Sequence, residues 1–181
     1  MNISLTTKER MLLEDQKRHE EICIEKYSNY AQQATDPQLK NIFSNHAAIE
    51  QEHLNTINQL LSGQVPSMGQ QAGGGGQQAG QGMQQGTSQQ SGASQQQMQQ
   101  NIQSAGIRPR SGSSNNMAAD QSLCNDVLMT EKYVSGAYDT AIFECKDTQV
   151  RDVLNHIQKE EQKHGEAVFK YMQSKGMYNP K

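Results

Sequence analysis

The sequence lacks the features that several large classes of protein require. No apolar run is long enough to span a membrane, and the N-terminus lacks the basic-then-apolar layout of a secretion signal. A formal charge of −3 at pH 7 gives no electrostatic case for binding nucleic acid or an anionic membrane. The apolar–polar alternation of β-strands appears nowhere. We therefore expect an all-α protein that is made in the cytoplasm, has no nucleic-acid partner and is not inserted into a membrane.

Cysteine is scarce and has no metal-site spacing. The three cysteines are Cys23, Cys124 and Cys145, an odd number spread along the chain. This pattern favours reduced thiols that pack as small hydrophobes.

Charge is missing from the middle of the chain. None of the 54 residues between His53 and Arg108 is charged, and 12 of the 15 glycines lie between Gly63 and Gly112. Such a stretch has too little apolar surface to offset the entropy of ordering it. We expect residues 63–116 to form a Gly/Gln-rich flexible linker between foldable segments at 5–62 and 117–178.

Each foldable segment contains two amphipathic helical patterns joined by a tight turn. A capping box at Thr6-x-x-Glu9 begins the first, and Asp36-Pro37 begins the second. The third begins at about residues 117–120, and Asp147 is the N-cap of the fourth. The sequence thus predicts two antiparallel helical hairpins that pack as one four-helix bundle across a long crossover.

The two hairpins form an internal repeat offset by 111 residues. The Glu-x-x-His spacing occurs twice, in the second and fourth helices, and fixes this offset. The same offset carries a glutamate of the first helix onto one of the third. In each hairpin, the glutamate of the first helix and the Glu-x-x-His glutamate of the second helix are equally far from the turn. They therefore lie at the same height along the hairpin, roughly 22 Å from the turn. The residues are Glu20, Glu50, His53, Glu131, Glu161 and His164.

All six side chains lie on the apolar stripes of their helices, where uncompensated charge is strongly destabilising. Two divalent ions would balance four carboxylates and two neutral imidazoles, and oxygen plus imidazole ligation suits iron or manganese. The sequence therefore predicts a dinuclear metal site. An alternative is that the carboxyl groups are partly protonated and hydrogen-bonded to the histidines. We expect His46, whose repeat partner is Ile157, to be a core histidine or one that contacts the ligands, and not a ligand itself. We expect Tyr27 and Tyr138 to serve in ring packing.

The third and fourth helices resemble the Coat F family of spore coat proteins from spore-forming bacteria. The resemblance covers residues 117–178, and the first hairpin is similar to the ferritin-like or rubrerythrin-like half that accompanies it. It implies a ferritin-like bundle, a role in building the endospore coat, self-association and other coat proteins as partners. It implies no settled enzymatic activity. The matching runs are Asp126-Val127-Leu128-Met129-Thr130-Glu131-Lys132-Tyr133, Glu160-Glu161-Gln162-Lys163-His164, Phe169-x-Tyr171-Met172 and Lys175-Gly176-Met177-Tyr178.

Two functions are therefore weighed. The first is a structural or assembly component of the spore coat, which low aromatic content, the uncharged linker and the resemblance favour. The second is a dinuclear iron or manganese oxidoreductase, such as a peroxidase, catalase or oxidase acting on peroxide or dioxygen. The two are compatible, because a coat protein can hold a metal site.

Overall fold

The chain folds into four α-helices in this computed structural model, which describes residues 3–66 and 112–178. We label the helices α1 (Thr7–Gln33), α2 (Pro37–Leu61), α3 (Gly112–Glu144) and α4 (Thr148–Ser174). No strand occurs within those two ranges, so the prediction of an all-α chain with two helical hairpins is confirmed. The linker prediction falls mostly on residues outside them. No helix in the described part is long and apolar enough to cross a bilayer.

The helix ends follow from local chemistry that the sequence shows. Thr6 and Glu9 form the reciprocal capping box of α1, and the Asp36 side chain caps α2 through the Gln38 N–H. Beyond α2, Gly63 has φ 86°, a left-handed conformation in which glycine is least strained.

Helix α3 begins at Gly112, earlier than the predicted 117–120. Residues 114–119 are all exposed, so this first part of the helix carries no apolar stripe. The prediction was wrong here because hydrophobic periodicity detects only helix that is packed on a core.

Contacts between the hairpins set the topology. Lys26 Nζ of α1 lies 2.7 Å from Asp126 Oδ2 of α3, and Lys175 Nζ, just after α4, lies 2.7 Å from Asp36 Oδ2 before α2. Further contacts, between Glu9 and Lys146 and between His53 and Glu160, run in the reverse order along the partner helix, so α1 is antiparallel to α3 and α2 is antiparallel to α4. The end of α2 and the start of α3 consequently lie at opposite ends of a bundle about 40 Å long, so the connection between them is a crossover.

The bundle has pseudo-twofold symmetry that extends beyond the candidate site. Glu9 Oε1 accepts a hydrogen bond from the Lys146 backbone N–H at 2.8 Å, and Asp120 Oδ1 accepts one from the Thr35 N–H at 2.8 Å. The 111-residue offset carries Glu9 onto Asp120 and Thr35 onto Lys146. Each hairpin therefore caps the turn of the other, which supports the internal repeat independently of the metal-ligand pattern.

Replacing Asp120 by Ala should destabilise the bundle. The Asp120 carboxylate is buried and accepts three hydrogen bonds, from Thr35 N, Thr35 Oγ1 and Asp36 N. Its loss leaves two backbone N–H groups without their acceptor, so we expect the free energy of unfolding to fall by about 2–3 kcal/mol. Denaturant unfolding measures this. The control is Asp139→Ala on the exposed face of α3; equal effects of the two changes would contradict the cap's role.

The core between the helices is mainly apolar, and its buried polar groups are the two carboxylates that cap the turns, a few uncharged side chains and one charged layer. Cys23, Cys124 and Cys145 are all buried and unpaired, as predicted for thiols that pack as small hydrophobes. The layer of buried charge lies at mid-bundle and contains the candidate site.

Candidate metal centre

All four helices contribute to one buried cluster of carboxyl and imidazole groups. α1 and α3 each supply one glutamate, whereas α2 and α4 each supply a glutamate and, one turn later, a histidine. No member is more than 3% exposed. The structure thus brings together all six of the residues that the sequence singles out. They are Glu20, Glu50, His53, Glu131, Glu161 and His164.

The six residues form two overlapping groups of four. Within each group, one candidate ligand atom per residue lies within 4.8 Å of all the others. Glu50 and Glu161 belong to both groups, while each remaining residue belongs to one. This is the arrangement that two adjacent ions would need, with two shared carboxyls between them and one glutamate and one histidine for each ion. The groups are Glu20, Glu50, His53, Glu161 and Glu50, Glu131, Glu161, His164.

The two imidazoles direct the same ring atom at the shared carboxyls. His53 Nδ1 lies 3.0 Å from Glu50 Oε2 and 3.0 Å from Glu161 Oε1, with geometry suited to donation towards Glu50. His164 Nδ1 lies 3.0 Å from Glu50 Oε1 and 3.6 Å from Glu161 Oε2. Both Nδ1 atoms are therefore placed to act as ligands or to stabilise the charge of the shared carboxyls.

Burial favours the neutral form of the two outer carboxyls when no metal is bound. Burial raises the pKa of Glu20 to about 8, and burial together with the charge of Glu161 raises the pKa of Glu131 to about 10. Both groups should hold a proton at pH 7. Each also accepts a hydrogen bond from a buried phenol of the opposite hairpin, Tyr138 to Glu20 and Tyr27 to Glu131.

The inner groups differ, because their contacts with one another favour the charged forms when no metal is bound. Burial opposes charge on Glu50 and Glu161, but the hydrogen bonds and charges of the two imidazoles outweigh it and lower the pKa of both carboxyls. Conversely, burial opposes charge on the imidazoles, but the carboxylates raise the pKa of His164 to about 10 and that of His53 well above its usual value. The charges of these six groups then sum to zero. Two of the carboxyls are protonated, as in the alternative that the sequence left open, but the carboxyls that contact the histidines are the ionised ones.

Oxygen atoms in the cluster lack partners that a metal would supply. Among the described residues, Glu20 Oε2 and Glu131 Oε2 are buried without a hydrogen bond. Neither oxygen of Glu161 has a well-directed one, although each lies within 3.6 Å of an imidazole Nδ1. An unpaired buried oxygen is destabilising, and coordination removes that penalty. The donor set of carboxylate oxygen and imidazole nitrogen suits iron or manganese. The residues present therefore fit a dinuclear centre.

Sequence reasoning missed Glu160. Its Oε2 atom lies 2.9 Å from His53 Nε2, so the carboxylate holds the ring nitrogen that faces away from the cluster. Glu160 lies next to Glu161 but off the apolar stripe, and no repeat partner marks it, because the equivalent residue of the first hairpin is Ile49. The family resemblance alone drew attention to its position.

His46 lies beside His164, where its ring contributes to packing. Its ring stacks on that of His164 with centroids 4.2 Å apart, and its edge meets Tyr27 at 5.1 Å. Burial lowers the pKa of His46 to about 3, so the ring is neutral. His46 is not part of either group of four, in agreement with the prediction of a core histidine.

Comparison with known families finds a match to the Coat F domain over residues 119–181. This region contains α3 from Ala119 onwards and α4, and with them Glu131, Glu161 and His164. No curated protein matches the chain. No solved structure matches it either.

Proposed function

Residues 119–181 of this chain belong to the Coat F family, and we propose from this that the protein is a structural or assembly component of the bacterial endospore coat, deposited there after synthesis in the cytoplasm. The Coat F match is the observation that carries the proposal. The bundle is proposed to act as a rigid unit that joins other coat proteins and further copies of itself.

The distribution of exposed apolar side chains supports an assembly role for the Coat F half. Met129 and Phe143 of α3 are 71% and 83% exposed, which is more than any other large hydrophobic residue in the described part of the chain. Fourteen residues separate them, close to four helical turns, so they lie on one face of α3. Tyr133, which is 67% exposed, lies between them along the helix, and apolar side chains gathered on one exposed face are a feature of protein–protein contacts.

Deposition of the full-length chain in spores tests this role. We expect the tagged wild-type protein in the coat extract of mature spores, and a reduced share there for the Met129→Ser/Phe143→Ser variant. Because both residues are exposed, the variant should fold normally. The control is Met11→Ser/Ile22→Ser, which removes two exposed apolar side chains from the first hairpin. Absence of the wild-type protein from the coat would contradict the proposal.

We further propose that the buried cluster holds two iron or manganese ions. Glu50 and Glu161 would lie between the ions, Glu20 and His53 would hold one, and Glu131 and His164 the other; Lewis-acid and redox chemistry are what such ions supply. The two overlapping groups of four support this assignment. The same groups are the reason to assay the alternative function, a peroxide- or dioxygen-consuming oxidoreductase.

Glu160→Gln should weaken metal binding without abolishing it. The Glu160 carboxylate fixes the His53 ring through Nε2, and loss of such a partner typically lowers metal affinity by about 10–100-fold. Competition with a chelator of known affinity measures the change. The control is Glu52→Gln, the same change on an exposed residue beside His53 in sequence. Equal metal affinity in Glu160→Gln and the wild type would show that Glu160 does not support His53.

A further inference from the structure

An open groove of about 680 Å³ lies between α3 and α4 on the outer side of the second hairpin. Its inner wall includes Glu131 and Glu161, so the groove adjoins the candidate centre. Leu128, Phe169 and Tyr178 line one part of it. Phe169 and Tyr178 form an edge-to-face pair with ring centroids 5.1 Å apart. The groove therefore offers an aromatic surface beside the buried carboxyl cluster.

Two glycines inside helices keep this groove open. A Cβ atom at Gly136 would meet nothing within 4 Å, and one at Gly165 would lie 3.9 Å from Glu131 Cβ, an ordinary contact. Neither residue has a positive φ, so the backbone does not require glycine. Glycine weakens a helix relative to alanine. What the two residues contribute is space, since both line the groove.

The first hairpin does not repeat this feature. At the positions that the 111-residue offset makes equivalent to Gly136, Gly165 and Phe169, the first hairpin has Glu25, Leu54 and Asn58. The pseudo-twofold symmetry that relates the two halves of the cluster is thus broken at the groove. The groove is a property of the Coat F half and not a by-product of the bundle.

The charges at the groove favour a neutral occupant. Lys132 and Asp139 line it with opposite charges, and the Glu166 carboxylate pairs with Lys170 at 2.6 Å. A volume of this size is typical of sites for small organic molecules and exceeds what peroxide or dioxygen needs.

We propose that the groove between α3 and α4 is a binding site for a small, neutral organic molecule that contains an aromatic ring. The ring packs against Leu128 and Phe169, in the space that Gly136 and Gly165 leave open, and the molecule lies beside Glu131. This goes beyond the proposed function and does not require a metal in the centre.

Fluorescence titration of the metal-free, full-length protein with 2-naphthol, which is neutral at pH 7, tests the proposal. We expect saturable binding to the wild type and an affinity at least about tenfold lower in Gly136→Leu and in Gly165→Val. Both changes raise helix propensity and add side chains where a Cβ has room, so the variants should fold. The control is Ser28→Leu, which adds similar bulk at the exposed α1 position equivalent to Asp139.

Non-saturable binding, or equal affinity in wild type and both variants, would overturn the proposal. So would sedimentation data in which the two glycine variants weaken self-association while 2-naphthol fails to bind, because the groove would then receive side chains of a second copy. Metal loading of the glycine variants, measured separately, should equal that of the wild type. A failed naphthol titration therefore leaves the metal-site proposal standing, and an absent metal leaves this one standing.

Discussion

Glu161→Gln should lose both metal ions, whereas Glu131→Gln should lose only one. After anaerobic purification with excess Fe(II) or Mn(II), the wild-type chain is expected to retain about two ions. The difference arises because Glu161 belongs to both groups of four, while Glu131 belongs to one. Elemental analysis of the desalted proteins measures the stoichiometry. Glu50→Gln, which alters the other shared carboxyl, should repeat the result of Glu161→Gln.

The control for this series is Glu144→Gln, the same substitution on an exposed face of α3. Circular dichroism of each metal-free variant checks folding, because Glu161→Gln removes a counter-charge from the two imidazolium groups. A wild-type chain that takes up no metal on reconstitution, or equal stoichiometry in Glu161→Gln and Glu131→Gln, would contradict the dinuclear assignment.

The same preparations address the oxidoreductase alternative. Turnover of hydrogen peroxide or dioxygen by the loaded wild type, lost in Glu161→Gln and kept in Glu144→Gln, would support an enzymatic role in addition to the coat role. Metal retention without turnover would indicate that the ions have a structural role only. The coat role is tested separately, by deposition of the protein in the spore. The result of either experiment therefore does not decide the other.

The sequence was sufficient to predict the cluster because helical geometry is regular within one hairpin. Equal distance from a turn places Glu20 level with Glu50 and Glu131 level with Glu161, and residues three apart place each histidine on the face of its glutamate. The repeat then required the two halves to be equivalent. No information about packing between the hairpins was needed.

Contacts between the hairpins were beyond this reasoning. Tyr27 was predicted only to pack its ring, because it lies two turns from Glu20 on the same helix. In the structure its phenol donates to Glu131 of α3, as the Tyr138 phenol does to Glu20. Tyr27 is eight residues from Thr35, and Glu131 is eleven residues from Asp120, which caps that turn. Tyr27 and Glu131 therefore differ by three residues in their distance from this turn. The register between α1 and α3, together with the length of the tyrosine side chain, spans that difference.

Raising the pH from 5 to 8 should destabilise the metal-free protein and leave the metal-loaded protein much less affected. The pKa values of Glu20, Glu131, His53 and His164 are all raised in the folded state, so the folded chain binds more protons than the unfolded chain in this range. Their contribution to stability is complete below the unfolded pKa values and is lost as the pH rises towards the folded ones.

The opposite shifts act mainly at lower pH. The exception is His46, whose pKa is lowered to about 3, so it adds stability as the pH rises through the unfolded imidazole value and offsets part of the loss at the acid end of this range. The lowered pKa values of Glu50 and Glu161 give stability that is present above the unfolded carboxyl pKa and is lost as the pH falls below it, outside this range. Each extra proton held by the folded state corresponds to a slope of about 1.4 kcal/mol per pH unit. Two bound divalent ions would displace these protons, so the difference in unfolding temperature between loaded and metal-free protein should widen as pH rises.

The double variant Glu20→Gln/Glu131→Gln isolates the cause of this slope. Glutamine has nearly the shape of a protonated glutamate and accepts the same phenol hydrogen bonds, but it has no proton to lose. Metal-free, this variant should therefore show a shallower loss of stability between pH 5 and 8 than the wild type, and should exceed it in stability at pH 8. Unfolding temperatures measured across this range in the presence of a chelator give both slopes. Identical slopes would show that the buried carboxyls are not what links metal-free stability to pH, and a variant that still gained stability from added metal would place the ions elsewhere.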